Sequence, residues 1–362
     1  MKPRLNEWVT FTPNKGLPIH NWFYYKEGFS APLVEWAVKG FKLEGPILDP
    51  FCGVGTTLLS CKLLGLEAYG FDVSPLAVFV SRAKTRNYNV ELLREEFSRV
   101  QSFEPAWEKP FPKELWFASR FNRSVLREIL AFKEFFVNAF SSPVSGFFLL
   151  ALIDSALRVS NVERQGASLR AVKKSAQALK PILLEKIERM MGDVRRVPQT
   201  GAEPFVEEGD ARWLKALSGE SVGSIVTSPP YLNKVEYASA YKLELALFFR
   251  APTTQLRSFL GSEGVRMSSQ VPIIDAYFED MARVLKEMNR VLIPGGKAVI
   301  VVGGGCFPDR AVESDDRLVE LGLNAGFELV KLLKAREIPC GAHGGLKGRT
   351  VRESIIVLKK QV

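Results

Sequence analysis

Histidine and cysteine are both scarce in this chain, with two histidines and four cysteines in 362 residues. No two cysteines form a C-x-x-C pair, so a zinc site, which needs such ligands at short set spacings, is not expected, and no metal is assigned. Cys52, Cys61, Cys306 and Cys340 are read as reduced thiols with structural roles. Long apolar runs are missing too. The longest, around Phe147 to Ile153, falls far short of a membrane span. The opening Met1-Lys2-Pro3-Arg4-Leu5-Asn6-Glu7 lacks the apolar core of a signal peptide, which points to the cytoplasm. No internal repeat or low-complexity tract stands out. What is left is an ordinary globular composition, 46% hydrophobic and 25% charged, in a chain long enough for a full α/β core and one helical appendage.

Acidic residues fall short of basic ones, giving a formal charge of +9. The surplus is uneven. Between Arg158 and Arg196 there are ten Lys/Arg against four Asp/Glu, and between Lys331 and Val362 eight against two. Such clusters suit a polyphosphate partner, because each neutralised phosphate releases counterions. A solvated helix face would carry the same charges.

Along the chain, Ala31 to Lys39 has helical apolar spacing after Ser30, and Gly45-Pro46 breaks it. Ile47-Leu48-Asp49 reads as a buried strand, Thr56 to Leu64 as a helix, Ala68 to Asp72 as a second strand and Pro75 to Ala83 as a second helix. That βαβα run starts a doubly wound sheet. Residues 87–199 then show helical patterns at Arg120 to Phe140, Phe147 to Val159 and Lys173 to Val194, with few strand signals; they are expected to be a helical, basic insertion. Alternation resumes with strands at Pro204 to Glu208, Ser224 to Thr227, Ala298 to Val302, Glu328 to Leu333 and Ser354 to Leu358. Helices are expected at Asp275 to Leu292 and Arg317 to Ala325, with Pro294-Gly295-Gly296 as the turn before the fifth strand. The expected organisation is therefore 1–86, 87–199 and 200–362, with one sheet built from the first and last parts and its last two strands antiparallel.

Two strings carry chemistry. Asp49-Pro50-Phe51-Cys52-Gly53-Val54-Gly55-Thr56-Thr57 follows the first strand, where Gly53 and Gly55 allow a sharp turn and close ligand approach. Thr56 and Thr57 suit the cap of the helix that follows. Ser228-Pro229-Pro230-Tyr231 follows the fourth strand. Taken together they resemble the S-adenosylmethionine (SAM) loop and the catalytic tetrapeptide of SAM-dependent amino-methyltransferases of nucleic acids, in the Ser-Pro-Pro-Tyr form most often seen with cytosine N4. The resemblance covers roughly residues 20–85 and 204–358. It implies a class I SAM-dependent methyltransferase fold, a Rossmann-like seven-stranded α/β sheet, here with a helical insertion.

The resemblance also implies roles. Asp49 faces the cationic methionine portion of SAM, Asp72 at the end of the second strand accepts the ribose hydroxyls, and Asp210 lies near the adenine amine. Helix capping before Pro75 is the other use for Asp72. Phe29 and Ser30, in the segment beginning Tyr25-Lys26-Glu27-Gly28, belong to the part that closes over the methionine end. Ser228 Oγ and the Pro229 carbonyl accept hydrogen bonds from the target amine, Pro230 keeps that carbonyl rigid, and Tyr231 stacks on the base. Outside this setting the tetrapeptide would be a plain turn. Substrate contacts are expected from Asn233, Lys234, Tyr237 and Tyr241, from His343, Lys347 and Arg349, and from Arg158 and Arg164 in the insertion; surface loops would look the same.

The pattern departs from part of the family, because the cofactor loop precedes the catalytic string. There is little chain before Ile47 for the RNA-binding domain carried by related guanine-N2 tRNA enzymes. Cytosine N4 in RNA or DNA leads. Adenine N6, guanine N2, a protein glutamine acceptor and a non-catalytic nucleic-acid-binding scaffold stay open, and the oligomeric state is not fixed, although a monomer would suffice.

Overall fold

The computed structural model describes residues 3–106, 111, 115–165, 168–172, 174, 177–199, 201–234, 237–252, 256–258, 271–340 and 348–362. The chain enters through α1 (Leu5–Trp8), two 3-10 turns (Thr12–Gly16 and His20–Trp22) and α2 (Ala31–Phe41). It then forms β1 (Ile47–Asp49), α3 (Thr56–Leu63), β2 (Ala68–Asp72) and α4 (Pro75–Thr85), the βαβα run that the apolar spacing predicts. α4 starts where Ser74 Oγ accepts the Ala77 amide and Pro75 takes the first helical position.

Next come α5 (Val90–Ser102), α6 (Arg123–Ala139), α7 (Ser142–Val159), a hairpin of β3 (Val162–Gln165) and β4 (Ser168–Ala171), and α8 (Leu179–Arg196). A 3-10 turn (Trp116–Arg120) precedes α6. The remainder is β5 (Phe205–Glu208), β6 (Val222–Thr227), α9 (Tyr237–Ala240), α10 (Lys242–Phe248), α11 (Val271–Val291), β7 (Leu292–Gly303), β8 (Gly305–Cys306), β9 (Ala311–Val312), α12 (Asp315–Asn324), β10 (Phe327–Pro339) and β11 (Thr350–Lys360).

Seven strands make the main sheet in the order β10-β11-β7-β6-β1-β2-β5. β5, β2, β1, β6 and β7 are parallel, and β11 lies antiparallel between β7 and β10. This is the class I SAM-dependent methyltransferase fold. Because the winding starts at β1 and proceeds outward on both sides, the order reverses between β1 and β6. An open α/β sheet binds its ligand at such a reversal, outside the carboxyl ends of the strands. Asp49 and Ser228 both sit there, one at the end of β1 and one just past the end of β6.

Side chains alternate between the two faces of each strand. Ile47, Val226, Val299 and Ile355 pack under α2 and α3 with Leu33, Val34 and Leu58. Leu48, Ile225, Ile300 and Ile356 pack on the other face against Tyr277, Met281 and Leu285 of α11. Burying each such side chain contributes about 1.5–3 kcal/mol. A third core, rich in phenylalanine, joins α5–α8 to α4, α10 and the entering chain, with Phe132, Phe136, Phe147 and Phe148 wholly buried beside Trp22 and Phe23.

The structure differs from the sequence reading in several places. Pro294-Gly295-Gly296 is not a turn before a strand but lies within β7. Pairing with β6 jumps from Leu292 to Lys297 across it, with Gly295 at φ 76°, so the glycines form a bulge. α5 and the β3–β4 hairpin lie in the region expected to be helical and irregular. Cys306 and Cys340 are not free thiols: they form a disulfide with Cα atoms 5.6 Å apart. β8 carries Cys306, Cys340 immediately follows the end of β10, and this separation is one a disulfide spans. Cys52 and Cys61 are free and buried. Among the described residues no helix is long and apolar enough to cross a membrane.

Candidate active site

The loop between β1 and α3 is shaped by two glycines in the left-handed region. Gly53 has φ 50° and Gly55 φ 80°. At Gly55 a Cβ would come within 2.5 Å of Ser81 Oγ, so only glycine allows the loop to close on α4. Gly55 is also the N-cap of α3, and no side chain caps it. Thr56 and Thr57, expected as caps, do other work. Thr56 Oγ1 accepts from Asn14 Nδ2 at 3.3 Å, and Thr57 Oγ1 donates to Asp49 Oδ2 at 2.7 Å.

Asp49 is buried and held on both oxygens. Its Oδ1 accepts from Thr227 Oγ1 at 2.6 Å and from the Phe51 amide at 3.1 Å. Burial pushes its carboxyl up to about 6, against the opposing effect of those hydrogen bonds and the Thr57 bond. Asp72 behaves alike. Its Oδ2 accepts the Gly53 amide at 3.0 Å and its Oδ1 the Ser74 amide at 2.8 Å, and burial raises it to about 6. Asp72 thus caps the turn before α4 and also faces the pocket. Two desolvated carboxylates side by side favour a cationic ligand, whose charge would offset the cost of ionising both.

These groups form one wall of a pocket of about 1200 Å³, counting the space open to solvent. Phe29, Asp49, Pro50, Phe51, Gly53, Thr56, Asp72 and Asp210 line it, together with Ser228 and Pro230. Gly55, Thr57 and Ser30 do not. Ser30 is fully buried and its hydroxyl donates to the Trp8 carbonyl at 2.9 Å, so it anchors the start of α2. Asp210 lines the pocket while its carboxylate accepts two bonds from Arg212, Nε to Oδ1 at 3.0 Å and Nη2 to Oδ2 at 2.6 Å. Arg212 in turn reaches buried Asp280 at 3.2 Å.

At the tetrapeptide, Tyr277 Oη donates to the Pro230 carbonyl at 3.0 Å, fixing it against α11. Pro229 is buried behind it. Tyr231 does not line the pocket. Its ring lies on Gly303, where a Cβ would come within 2.6 Å, and its hydroxyl donates to Glu353 Oε1 at 2.8 Å. The tyrosines that line the pocket are Tyr25, Tyr237 and Tyr241. Tyr25 stacks on Tyr241 at 4.9 Å and on Tyr237 at 6.3 Å, and Tyr241 Oη donates to Glu27 Oε2 at 2.8 Å. Sequence reading singled out Tyr237 and Tyr241 but assigned no role to Tyr25 or Glu27 individually, and it passed over Leu245, Pro252, Leu256 and Ser258, which also line the pocket. Their only signal was position just past the tetrapeptide.

The remaining candidates scatter. Asn233 is fixed by its backbone and amide to Ser258 and Cys306, at 2.6 and 2.8 Å, and Lys234 is exposed beside it. Arg164 lies on β3, whose hairpin packs against α9 at the pocket rim, whereas Arg158 is exposed near the end of α7. Arg349 is exposed where its carbonyl accepts the Cys340 amide, and His343 and Lys347 lie outside the described residues. Among the described residues no group of three or more His, Cys, Asp or Glu could hold a metal.

No protein-family model matches the chain. It is similar to the type II methyltransferase M.BsoBI of Geobacillus stearothermophilus, at 23% identity over 97% of this chain and 87% of that one. The type II methyltransferase M.AvaI of Nostoc sp. is 27% identical over 66% of this chain, which spans 56% of its length. Among solved structures, a SAM-dependent methyltransferase of Methanosarcina mazei overlays 88% of this chain and 93% of its own, at 12% identity and a TM-score of 0.36. The cofactor is S-adenosylmethionine, and the chain is a SAM-dependent methyltransferase.

Proposed function

We propose that this chain methylates the exocyclic N4 amine of cytosine in DNA. The observation that carries the proposal is that Ser228 lines the same pocket as the carboxylates Asp49 and Asp72. Similarity to type II methyltransferases over nearly the whole chain supports a nucleic-acid acceptor, and DNA over RNA. The basic surplus around Arg158 to Arg196 supports a phosphate backbone partner. Serine rather than Asp or Asn at the head of the tetrapeptide supports cytosine N4 over adenine N6.

SAM supplies an electrophilic methyl group on a sulfonium. Asp49 and Asp72, with the Gly53–Gly55 loop, would hold its cationic and ribose portions, and Phe29 and Asp210 would bound it. The acceptor amine is a weak nucleophile because its lone pair is delocalised into the ring. Ser228 Oγ and the Pro229 carbonyl, as acceptors for its N–H groups, favour the localised lone pair and stabilise the charge that develops on nitrogen. Tyr25, Tyr237 and Tyr241 offer flat faces for a base taken out of its helix.

The test is transfer from labelled SAM to matched DNA and RNA pools, digested to nucleosides and identified by mass. N4-methyldeoxycytidine is the expected product. N6-methyladenine or N2-methylguanine would replace the acceptor, a ribonucleoside would replace DNA, and no labelled nucleoside despite bound SAM would overturn the reading.

A further inference from the structure

Three cations near the pocket are seated on aromatic rings rather than on carboxylates. Trp116, in the 3-10 turn before α6, is 36% exposed. Lys242 Nζ lies 4.6 Å from the centre of its ring, and the Arg120 guanidinium carbon 5.2 Å from it. At the start of α6, the Arg123 guanidinium lies 5.0 Å over the Phe111 ring. Among the described residues none of these three cations is in an ion pair. Arg94, Arg99 and Lys180, by contrast, are each matched by a glutamate. A ring attracts a cation through its quadrupole and carries no net charge. It therefore fixes where the cation sits without neutralising it, and the charge stays available to an anionic partner.

The cluster adjoins the pocket through three elements. Lys242 opens α10 directly after Tyr241, and Tyr241 and Leu245 both line the pocket. The turn that carries Trp116 packs on α10, and its Arg120 carbonyl accepts the Asn161 amide at 2.7 Å, which ties it to the foot of the β3–β4 hairpin. That hairpin packs on α9, which supplies Tyr237 to the pocket.

We propose that Trp116, Arg120, Arg123 and Lys242 form a docking surface for the phosphodiester backbone of DNA beside the target nucleotide. The proposal rests on the reading that the acceptor is a base in DNA. A base that enters the pocket has left its stack, and its own backbone comes to the pocket mouth with it. Phosphates there meet guanidinium and ammonium groups that no carboxylate has neutralised. Such contacts release counterions and set the register of the strand without reading its sequence. Trp116 acts by holding Lys242 and Arg120 in place.

The test is binding of the full chain to a short fluorescein-labelled DNA duplex of random sequence, and to the matched RNA duplex, by anisotropy over a series of salt concentrations. Lys242→Gln should weaken DNA binding and lower the slope of log Kd against log salt by about one, the value of a single phosphate contact. Lys39→Gln makes the same charge change at a lysine paired with Glu35 on α2, and should leave the slope as it is. Trp116→Ala keeps every charge, yet should raise Kd about twofold to fivefold at constant salt, the range of an exposed cation–ring contact. Trp116→Phe should recover part of that loss. SAM affinity by calorimetry should stay at the parental value throughout, and exposed Lys242 keeps the test open should Trp116→Ala fold poorly. An unchanged slope in Lys242→Gln, an equal fall in Lys39→Gln, parental Kd in a folded Trp116→Ala, or tighter binding of the RNA duplex overturns the proposal. Methyl transfer is measured on the same samples. The expected slopes without a methylated base keep the surface and remove the acceptor reading. Methylated DNA with an unchanged Lys242→Gln slope keeps that reading and removes the surface.

Discussion

Tyr241 donates its hydroxyl to Glu27 at 2.8 Å while its ring stacks on Tyr25 at 4.9 Å, so two contacts tie the chain before the first strand to the chain after the tetrapeptide. All three residues line the pocket. Tyr241→Phe keeps the stacking and removes the hydrogen bond. A hydrogen bond to a charged group contributes about 1.5–3 kcal/mol to stability, so the melting temperature of the cofactor-free chain is expected to fall, and an unchanged melting curve would show that the tie contributes nothing.

Replacing Asp72 by Ala removes the proposed ribose acceptor and one of the two pocket carboxylates with raised pKa. SAM affinity should fall by at least about tenfold, or about 1.4 kcal/mol. Unchanged affinity in a titration would remove the ribose assignment.

The same two carboxylates set a pH dependence. Asp49 and Asp72 each titrate near 6 in the folded chain, above the usual 3.8. Their raised values favour folding below the unfolded value, and that contribution is lost as pH rises through about 6. Cofactor-free protein should therefore gain stability from these groups as pH drops from 7 towards 4. SAM binding, which favours the ionised pair, should weaken over the same fall, and Asp72→Asn should flatten that slope.

On the proposed role of Ser228, Ser228→Ala should lower turnover by about a hundredfold with SAM affinity nearly intact, because an acceptor for charge that develops only during transfer would be lost. A single-turnover assay beside a binding titration separates the two quantities.

Reducing the Cys306–Cys340 bond frees a loop of 34 residues. A cross-link of that span stabilises a fold by about 2–4 kcal/mol, so dithiothreitol should lower the melting temperature, and Cys306→Ala should remove the sensitivity.

The sheet was readable because its central strands are buried on both faces and appear as short apolar or β-branched runs, as at Ile47 to Asp49 and Ala298 to Val302. α5 was passed over because a mostly charged surface hides the stripe of Leu93, Phe97 and Val100. The β3–β4 hairpin was passed over because Val162-Glu163-Arg164-Gln165 shows no period. In the site, the cofactor loop could be read from its glycines, but the use of each hydroxyl could not. Ser30 and Thr57 look like ligand groups in sequence, and both turn inward to hold the scaffold. The seat of Tyr231 depends on a missing side chain at Gly303, which no local pattern announces.

The entering chain around Ile19 to Phe23 is pinned almost wholly by residues far along the sequence. Asp193 Oδ2 accepts from the Ile19 amide and the Trp22 indole, Lys186 Nζ donates to the Trp22 carbonyl, and Lys84 Nζ to the His20 carbonyl. On a ribosome the first of these partners to emerge is Lys84, while Lys186 and Asp193 follow about a hundred residues later. The segment that carries Tyr25, Glu27 and Phe29 must therefore wait, only partly anchored, until α8 is made. The cofactor wall closes late in synthesis although its residues are among the first translated, and a nascent chain stopped before α8 should hold the Gly53–Gly55 loop without the lid that faces it.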